Sequence, residues 1–207
     1  NQYYGSLNFF TSTGWVFSPS VHLLTTGYPL INISTTGMNS SAKTYDVRSY
    51  GFNAGMAITK SMGYVAVGAE AGFSYLNYMK RFQGTASLMF YPFGNSDIYI
   101  GGKISAVKEL QNTSSIPATV KGFTAGFSIV RKIWFEFSGL TGYMKNYADN
   151  NGLYLYNSAD ILKNKITGRI IIPFNKAGLS IYAGGGVSSY SSEFIPENGM
   201  TTTSLNK

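Results

Sequence analysis

The segment from Val65 to Tyr75 alternates apolar residues with small or polar ones. Its odd positions read Val65, Val67, Ala69, Ala71, Phe73 and Tyr75, and its even positions include Gly68, Glu70, Gly72 and Ser74. Because successive side chains of a β-strand point to opposite faces, this pattern predicts a strand with one apolar face and one small, polar face. Helical spacing fits the segment less well.

The same alternation recurs along most of the chain. It is present in residues 50–59, 82–90, 98–106, 122–129, 133–138 and 179–188. We count eight strands between about residue 47 and about residue 192, and two less regular ones near 2–13 and 20–35 bring the number to about ten. Pro19 and Pro29 interrupt the second of these, and proline removes a donor from the hydrogen-bonded ladder. The sequence therefore predicts an all-β, antiparallel protein.

The predicted connections fall into two alternating groups. Short connections with the chemistry of hairpin turns lie at residues 60–63, 93–96, 131–132 and 175–178. Longer ones, rich in Asn, Ser and Asp, lie at residues 37–46, 77–81, 111–117 and 147–152. Short turns at one rim and long loops at the other are typical of outer-membrane barrels, whose long loops are extracellular. An aromatic girdle is expected near the loop rim, at Tyr50, Tyr75, Phe82 and Tyr143.

The composition favours a membrane over water as the surroundings of this sheet. Charged residues make up 12% of the chain, against roughly 25% in soluble domains. No stretch approaches the roughly 18 consecutive apolar residues of a spanning helix. Since only helices and closed barrels satisfy their backbone in lipid, we predict a closed antiparallel transmembrane β-barrel of about 8–10 strands. It forms a single domain over residues 1–207, of which 1–46 and 195–207 are the least regular parts.

A soluble barrel of the lipocalin type is the main structural alternative, because alternation does not tell which face points inward. The outer surface of such a barrel would carry many charges, whereas the polar face here is mostly Gly, Ser and Thr. We therefore expect Ala71 and Phe127 to face lipid, and Ser74 and Ser128 to face the lumen.

The runs from Gly68 to Tyr75 and from Trp134 to Tyr143 resemble strands of the small outer-membrane β-barrels of Gram-negative bacteria, such as the transmembrane domain of outer-membrane protein A. The resemblance is architectural and extends over the whole chain, with no motif that defines one family. The chain is rich in Lys, Asn, Tyr and Ser, and this composition resembles that of envelope proteins of Bacteroidetes. The resemblance implies location in the bacterial outer membrane, with lipid, lipopolysaccharide and other outer-membrane or periplasmic proteins as partners.

Net charge, cysteine content and the two ends of the chain bear on which other functions are expected. The net charge of +7 is spread thinly and forms no basic run, so nucleic-acid binding is not expected. The chain has no cysteine, which excludes thiol chemistry. It begins without a signal peptide, which suggests a mature or truncated sequence. The polar stretch 195–207 is expected outside the membrane, beyond an outward-running last strand, unless a final strand is missing.

Five charged residues are expected on the lumenal face: Glu70, Lys103, Glu136, Lys165 and Arg169. In a narrow barrel such groups can neutralise one another as ion pairs and close the interior, or they can line a charged pore. Because about eight to ten strands leave an interior just filled by side chains, the closed form is favoured.

Two further groups were considered as active or metal sites. Ser20 and His22 fall on the same strand face, and outer-membrane lipid hydrolases also pair Ser and His on a strand, but as His-x-Ser. No nearby acid orients the imidazole, so an incidental pair is favoured. Asp149, Asn150 and Asn151 lack the spacing of a calcium loop and are expected in a solvated loop.

These observations leave three hypotheses. The first is a non-enzymatic outer-membrane barrel, without cofactor or metal, that acts through its extracellular loops or as an accessory subunit of a larger assembly. The second is a narrow pore or solute channel whose selectivity comes from the lumenal charges. The third is a lipid-modifying enzyme that uses Ser20 and His22.

Overall fold

The computed structural model describes residues 1–36, 39–110, 117–129, 133–157, 160–174, 179–193 and 204–206. Within them the chain forms these strands: β1 (Gln2–Ser6), β2 (Phe9–Phe10), β3 (Trp15–Thr36), β4 (Asn39–Met62), β5 (Val65–Leu76), β6 (Met79–Phe90), β7 (Ile98–Glu109), β8 (Ala118–Ile129), β9 (Ile133–Met144), β10 (Tyr147–Asp149), β11 (Tyr154–Tyr156), β12 (Ile161–Phe174), β13 (Leu179–Glu193) and β14 (Ser204–Asn206). In this part of the chain no helix is long and apolar enough to cross a membrane.

Almost all strands belong to one antiparallel sheet, which confirms the predicted all-β, antiparallel class. Its order is β1-β3-β4-β5-β6-β7-β8-β9-β12-β13-β14, with β2 also paired to β3. The eight strands predicted between residues 47 and 192 correspond to β4–β9, β12 and β13. The two less regular ones correspond to the β1 and β2 segments and to β3. Strands β10 and β11 form a separate two-stranded sheet.

Pro19 lies within β3, where it pairs with Met56 of β4. On the other side of β3 the pairing is interrupted at the same level, because β1 ends at Ser6 and β2 begins at Phe9. Leu7 N–H still donates to the Pro19 carbonyl, at 3.1 Å. Proline has no N–H to return, so the neighbouring strand breaks opposite it.

Strands β3 and β4 continue far beyond their neighbours. They pair with each other up to Thr36 and Asn39, whereas β5 joins β4 only from Phe52 onward, and β1 reaches β3 only as far as Leu24. The eleven residue pairs from Thr26–Ser49 to Thr36–Asn39 therefore form a two-stranded projection, here called the ribbon. At about 3.3 Å per residue it extends roughly 35 Å.

Three predicted loops differ in the structure. Residues 39–46 belong to β4, and residues 79–81 belong to β6. The β5–β6 connection is reduced to Asn77 and Tyr78, whose positive φ values of 51° and 63° are those of a type I′ hairpin turn. The third loop, residues 147–152, folds onto the sheet, as described below. The connections predicted at 111–117, 131–132 and 175–178 lie largely outside the described residues, as does most of the stretch 195–207.

The two faces of the sheet differ in polarity. One face, here called the apolar face, exposes large hydrophobic side chains from neighbouring strands, among them Leu88, Ile100, Ile104, Phe123, Phe127, Phe137 and Ile166. Ala71 also lies on it. The opposite face, here called the polar face, buries Asn53, Ser74, Arg81, Thr85 and Ser105. The alternation read from the sequence thus separates the side chains as predicted.

The sheet curves until its two ends approach each other. A cavity of about 300 Å³ is lined by Gln2 of β1 and Leu24 of β3, and also by Leu162 of β12 and Tyr190 of β13. Strands β1 and β13 run in opposite directions, because each of the nine successive pairings that lead from β1 to β13 is antiparallel. In the described part of the chain no pairing joins β1 to β13.

Candidate functional site: an inserted hairpin and a charged cavity

The segment between β9 and β12 folds back onto the polar face as a small hairpin, residues 147–156, here called the inserted hairpin. Tyr147, Ala148 and Asp149 pair with Tyr156, Leu155 and Tyr154. Tyr147 is only 1% exposed. The expectation of a solvated loop at Asp149, Asn150 and Asn151 is wrong for Asp149 and Asn151, which bind the sheet, whereas Asn150 is exposed. The sequence signal for a loop was sound, but its polar side chains find partners on the sheet instead of in water.

The tip of the inserted hairpin turns through three consecutive residues with positive φ. Asn150 and Asn151 have φ values of 52° and 53°, and Gly152 has 82°. Asparagine tolerates this left-handed region better than most residues, and glycine adopts it freely. A side chain at Gly152 would also place its Cβ only 2.2 Å from Asn53 Nδ2, so the tip needs glycine for two reasons.

Strand β3 holds this tip through its buried polar side chains. Ser20 Oγ donates to the Asn151 carbonyl at 2.6 Å, and His22 Nδ1 lies 2.8 Å from the Gly152 carbonyl. A carbonyl can only accept, so Nδ1 carries the proton. Asn151 Nδ2 donates in turn to the Ser18 carbonyl at 2.6 Å.

Strands β5 and β6 bind the middle of the inserted hairpin. The amide of Gln83 acts like a neighbouring strand, since its Nε2 donates to the Ala148 carbonyl at 2.6 Å and its Oε1 accepts from Ala148 N–H at 3.1 Å. Asn151 N–H donates to Glu70 Oε2 at 3.3 Å. Strand β10 and the tip of the inserted hairpin are therefore tied by backbone groups to the surrounding sheet, here called the wall, as an inserted segment with polar backbone requires.

Strand β7 adds an ion pair and a hydroxyl pair. Lys103 Nζ forms a salt bridge with Asp149. Ser105 Oγ, which is fully buried, lies 3.0 Å from the Tyr147 hydroxyl and 2.8 Å from Thr85 Oγ1.

The base of the inserted hairpin is fixed by apolar packing and by a buried arginine. Tyr147 packs in the hydrophobic cluster of Val107, Val120, Leu140, Met144 and Leu162. Its ring stacks on that of Tyr156, with centroids 6.0 Å apart. Arg81, 2% exposed, donates to the Lys145 carbonyl and pairs with Glu109. The inserted hairpin is thus anchored at its tip, middle and base, by strands from β3 to β9.

The structure places Ser20 and His22 on the same face, as their spacing predicted, but both are used by the inserted hairpin. The Ser20 hydroxyl donates to a carbonyl, so its proton is not directed at the imidazole. His22 Nδ1 donates likewise, and its buried Nε2 has no hydrogen-bond partner among the residues that the structure describes. In this geometry Ser20 and His22 anchor the backbone of the inserted hairpin, because a nucleophilic serine would donate its proton to the histidine instead.

All five predicted lumenal charges lie on the polar face, where they are held in separate groups. Glu70 binds the hairpin tip and Lys103 pairs with Asp149. Arg169 forms a salt bridge with Glu136 at 2.7 Å. The Tyr99 hydroxyl also donates to Glu136. Lys165 donates to the Tyr156 hydroxyl at 3.1 Å.

A cavity of about 750 Å³ lies between the inserted hairpin and the wall. Its lining comes from strands β6, β7, β8, β9, β12 and β13 and from the inserted hairpin, which shows how far the sheet curves around it. Charged and hydroxyl-bearing side chains dominate: Lys103, Glu136, Asp149, Lys165 and Arg169, with Tyr91, Tyr99, Tyr154, Tyr156, Thr124 and Thr167. Among the described residues, no three His, Cys, Asp or Glu side chains converge as a metal site.

Comparisons with known proteins do not assign the chain to a family. A scan against protein-family models and searches of curated proteins and of solved structures found no match to the chain. The function must therefore be argued from the geometry.

Replacing Gln83 by Leu should loosen the inserted hairpin. The substitution leaves the N–H and carbonyl of Ala148 without their partner, at about 1–3 kcal/mol for each unsatisfied buried group. We expect amide hydrogen exchange in residues 147–156 to be at least about ten-fold faster, since a ten-fold change corresponds to about 1.4 kcal/mol. Exchange measured by mass spectrometry would test this. Thr119→Leu, an exposed position on the opposite face of the sheet, is the control, and equal protection in both variants would refute the anchoring role.

Proposed function

We propose that this chain is an integral β-barrel of the bacterial outer membrane whose lumen is sealed by the inserted hairpin, and that it acts without catalysis, through the ribbon. The observation that carries the proposal is the polarity of the two faces. The face that curves around the inserted hairpin is polar, and the opposite face exposes a continuous set of large apolar side chains. A soluble barrel would require the reverse.

Closure of the sheet is supported by its ends. Strands β1 and β13 have opposite directions and share the lining of one cavity with their neighbours. An antiparallel pairing between them would give ten wall strands, counting the β1 and β2 segments as one, and an even number is usual for bacterial barrels. In lipid this closure is needed, because an open edge leaves backbone groups without partners.

Location in a membrane is supported by aromatic side chains near both rims. The rim that carries the β4–β5 and β6–β7 connections, here called the turn rim, exposes Trp15, Tyr64 and Phe93. The opposite rim, here called the loop rim, exposes Tyr50 and Phe82. Aromatic girdles flank the apolar band of outer-membrane barrels in this way. Outer-membrane lipid and lipopolysaccharide are the surroundings that such a surface fits.

The sealed form is supported over the narrow pore by the density of hairpin contacts. Seven side chains of the wall bind the inserted hairpin or the residues beside it: Ser20, His22, Glu70, Arg81, Gln83, Lys103 and Ser105. In the proposed barrel, a segment held in this way by strands β3, β5, β6 and β7 would leave little room for ions at its own level. The narrow pore remains the second candidate, and the charged cavity below the inserted hairpin is the observation that favours it.

The ribbon is the part best suited to contact another protein. It projects from the loop rim, and among the described strands β3 and β4 pair only with each other over this length. Unpaired edges of a two-stranded projection readily accept a further strand. This supports action through a rim element or as an accessory subunit, whereas a lipid-modifying enzyme is supported less, because Ser20 and His22 bind the inserted hairpin.

Paired arginine substitutions at neighbouring positions of β8 should reveal which face meets lipid. Ala125 lies on the apolar face, and Thr124 lines the cavity. Arginine at a lipid-facing midplane position costs roughly 2–4 kcal/mol, whereas a lumenal arginine can hydrate or pair. We expect Ala125→Arg to lower the denaturant midpoint in lipid vesicles more than Thr124→Arg. If Thr124→Arg is the more damaging, and the wild type dissolves without detergent, the apolar face does not meet lipid.

Removing the inserted hairpin should open the barrel. A variant with residues 147–156 replaced by a short Gly-Ser linker should show stable unitary conductance in planar bilayers, while the wild type stays silent. The linker can be short because Met144 of β9 already pairs with Leu162 of β12. A variant lacking ribbon residues 29–46 is the control and should be silent. Conductance in the wild type would instead favour the narrow pore.

Shortening the ribbon should abolish any subunit role without affecting the barrel. The variant lacking residues 29–46 should keep its heat-modifiable gel mobility, because the wall strands below the ribbon remain paired. A protein that copurifies with the wild type from native membranes in mild detergent should then be lost. A partner retained by this variant would locate the contact elsewhere on the chain.

A further inference from the structure

The charges around the large cavity are paired unevenly. Lys103 forms its salt bridge with Asp149, and it also acts electrostatically on Glu70. Glu70 lines a separate, much smaller cavity on the other side of the hairpin tip. Arg169 is paired with Glu136. Two of the three cations that line the large cavity thus have carboxylate partners.

Lys165 is the third cation, and its partners are neutral. Its Nζ donates to the Tyr156 hydroxyl at 3.1 Å, and it lies 4.8 Å from the centre of the Tyr156 ring and 5.9 Å from that of Tyr154. In the part of the chain that the structure describes, no ion pair joins Lys165 to a carboxylate. The cavity therefore has an excess positive charge on the side of β12.

An ammonium group that is partly withdrawn from water is stabilised by a counter-charge or by several hydrogen bonds, which compensate for lost hydration. The neighbouring groups are suited to hold an anion in addition to the lysine. Tyr156 carries a hydroxyl that can donate while it accepts from Lys165. Thr167 lies between Lys165 and Arg169 on the same face of β12, and its hydroxyl is 2.7 Å from Ser138 Oγ.

We propose that this cavity is a binding site for a small organic anion, a carboxylate or a phosphate ester, with Lys165 as its charge partner and the Tyr156 hydroxyl as a hydrogen-bond donor. The volume of about 750 Å³ lies within the range of about 300–1,000 Å³ that is usual for small-molecule sites. Tyr91, Tyr99 and Tyr154 add aromatic surface for the organic part of the ligand. The site depends on the cavity alone, so it goes beyond the proposed function and does not require a membrane location.

Titration calorimetry of the refolded full chain in uncharged detergent micelles tests the site. Citrate and glucose 1-phosphate are the anionic probes, and glucose is the neutral one. We expect the wild type to bind at least one anionic probe and not glucose. Lys165→Gln should weaken that binding at least about ten-fold, because the anion loses its charged partner. Lys165→Arg should retain most of it.

Lys163→Gln is the matched control, because it removes the same charge from the same strand. Lys163 lies over the Tyr143 ring, 5.1 Å from its centre, and does not line the cavity. Its binding should equal that of the wild type. The proposal is overturned if the wild type binds neither anion better than glucose, or if Lys163→Gln and Lys165→Gln weaken binding equally. The wild-type titration decides the question even if Lys165→Gln fails to fold.

Discussion

The hydrogen bonds of one inserted segment govern the rest of this structure. The backbone of residues 147–156 lies against the polar face of the sheet, where water cannot satisfy all of its groups. Side chains of the wall do so instead, most clearly Gln83, which binds both the N–H and the carbonyl of Ala148. Each such group left unpaired would cost about 1–3 kcal/mol. The sheet must therefore be polar where the backbone of the inserted hairpin lies against it, whereas the Tyr147 ring packs on an apolar cluster.

Strand alternation also determines which residues form the other face of the sheet. On a β-strand the residues between the polar ones point away from the hairpin, and here they are large and apolar, as Ile104 beside Lys103 and Ser105 illustrates. In water so large an exposed apolar surface would favour aggregation. In a bilayer the same surface is stable. The proposed sealed interior and the proposed membrane location thus both rest on one alternating pattern.

Much of the sheet could be predicted from the sequence, whereas the inserted hairpin could not. Alternation identified the strands because a period of two has a single structural meaning over ten or more residues. The stretch Tyr147–Gly152 carries the Asn, Asp and Gly residues of any exposed turn, and the same side chains serve equally well against a polar wall. What distinguishes the two is a distant partner such as Gln83 or His22, and no local pattern encodes it. The five charges expected in the lumen, which the structure places on the polar face, stand out in the sequence because they interrupt a face of small residues.

The inserted hairpin and the ribbon differ in how many of their polar groups are already bonded. The inserted hairpin uses its polar groups on the wall, so little of it remains to meet a partner. The outer backbone edges of the ribbon are unpaired, since its two strands pair only with each other in the described part of the chain. An isolated two-stranded hairpin is marginally stable in water, so a ribbon of this length gains most from a third strand or a protein surface beside it. In the proposed barrel, contact with a partner would therefore act on the ribbon and the inserted hairpin would close the interior, and neither role requires the other to change.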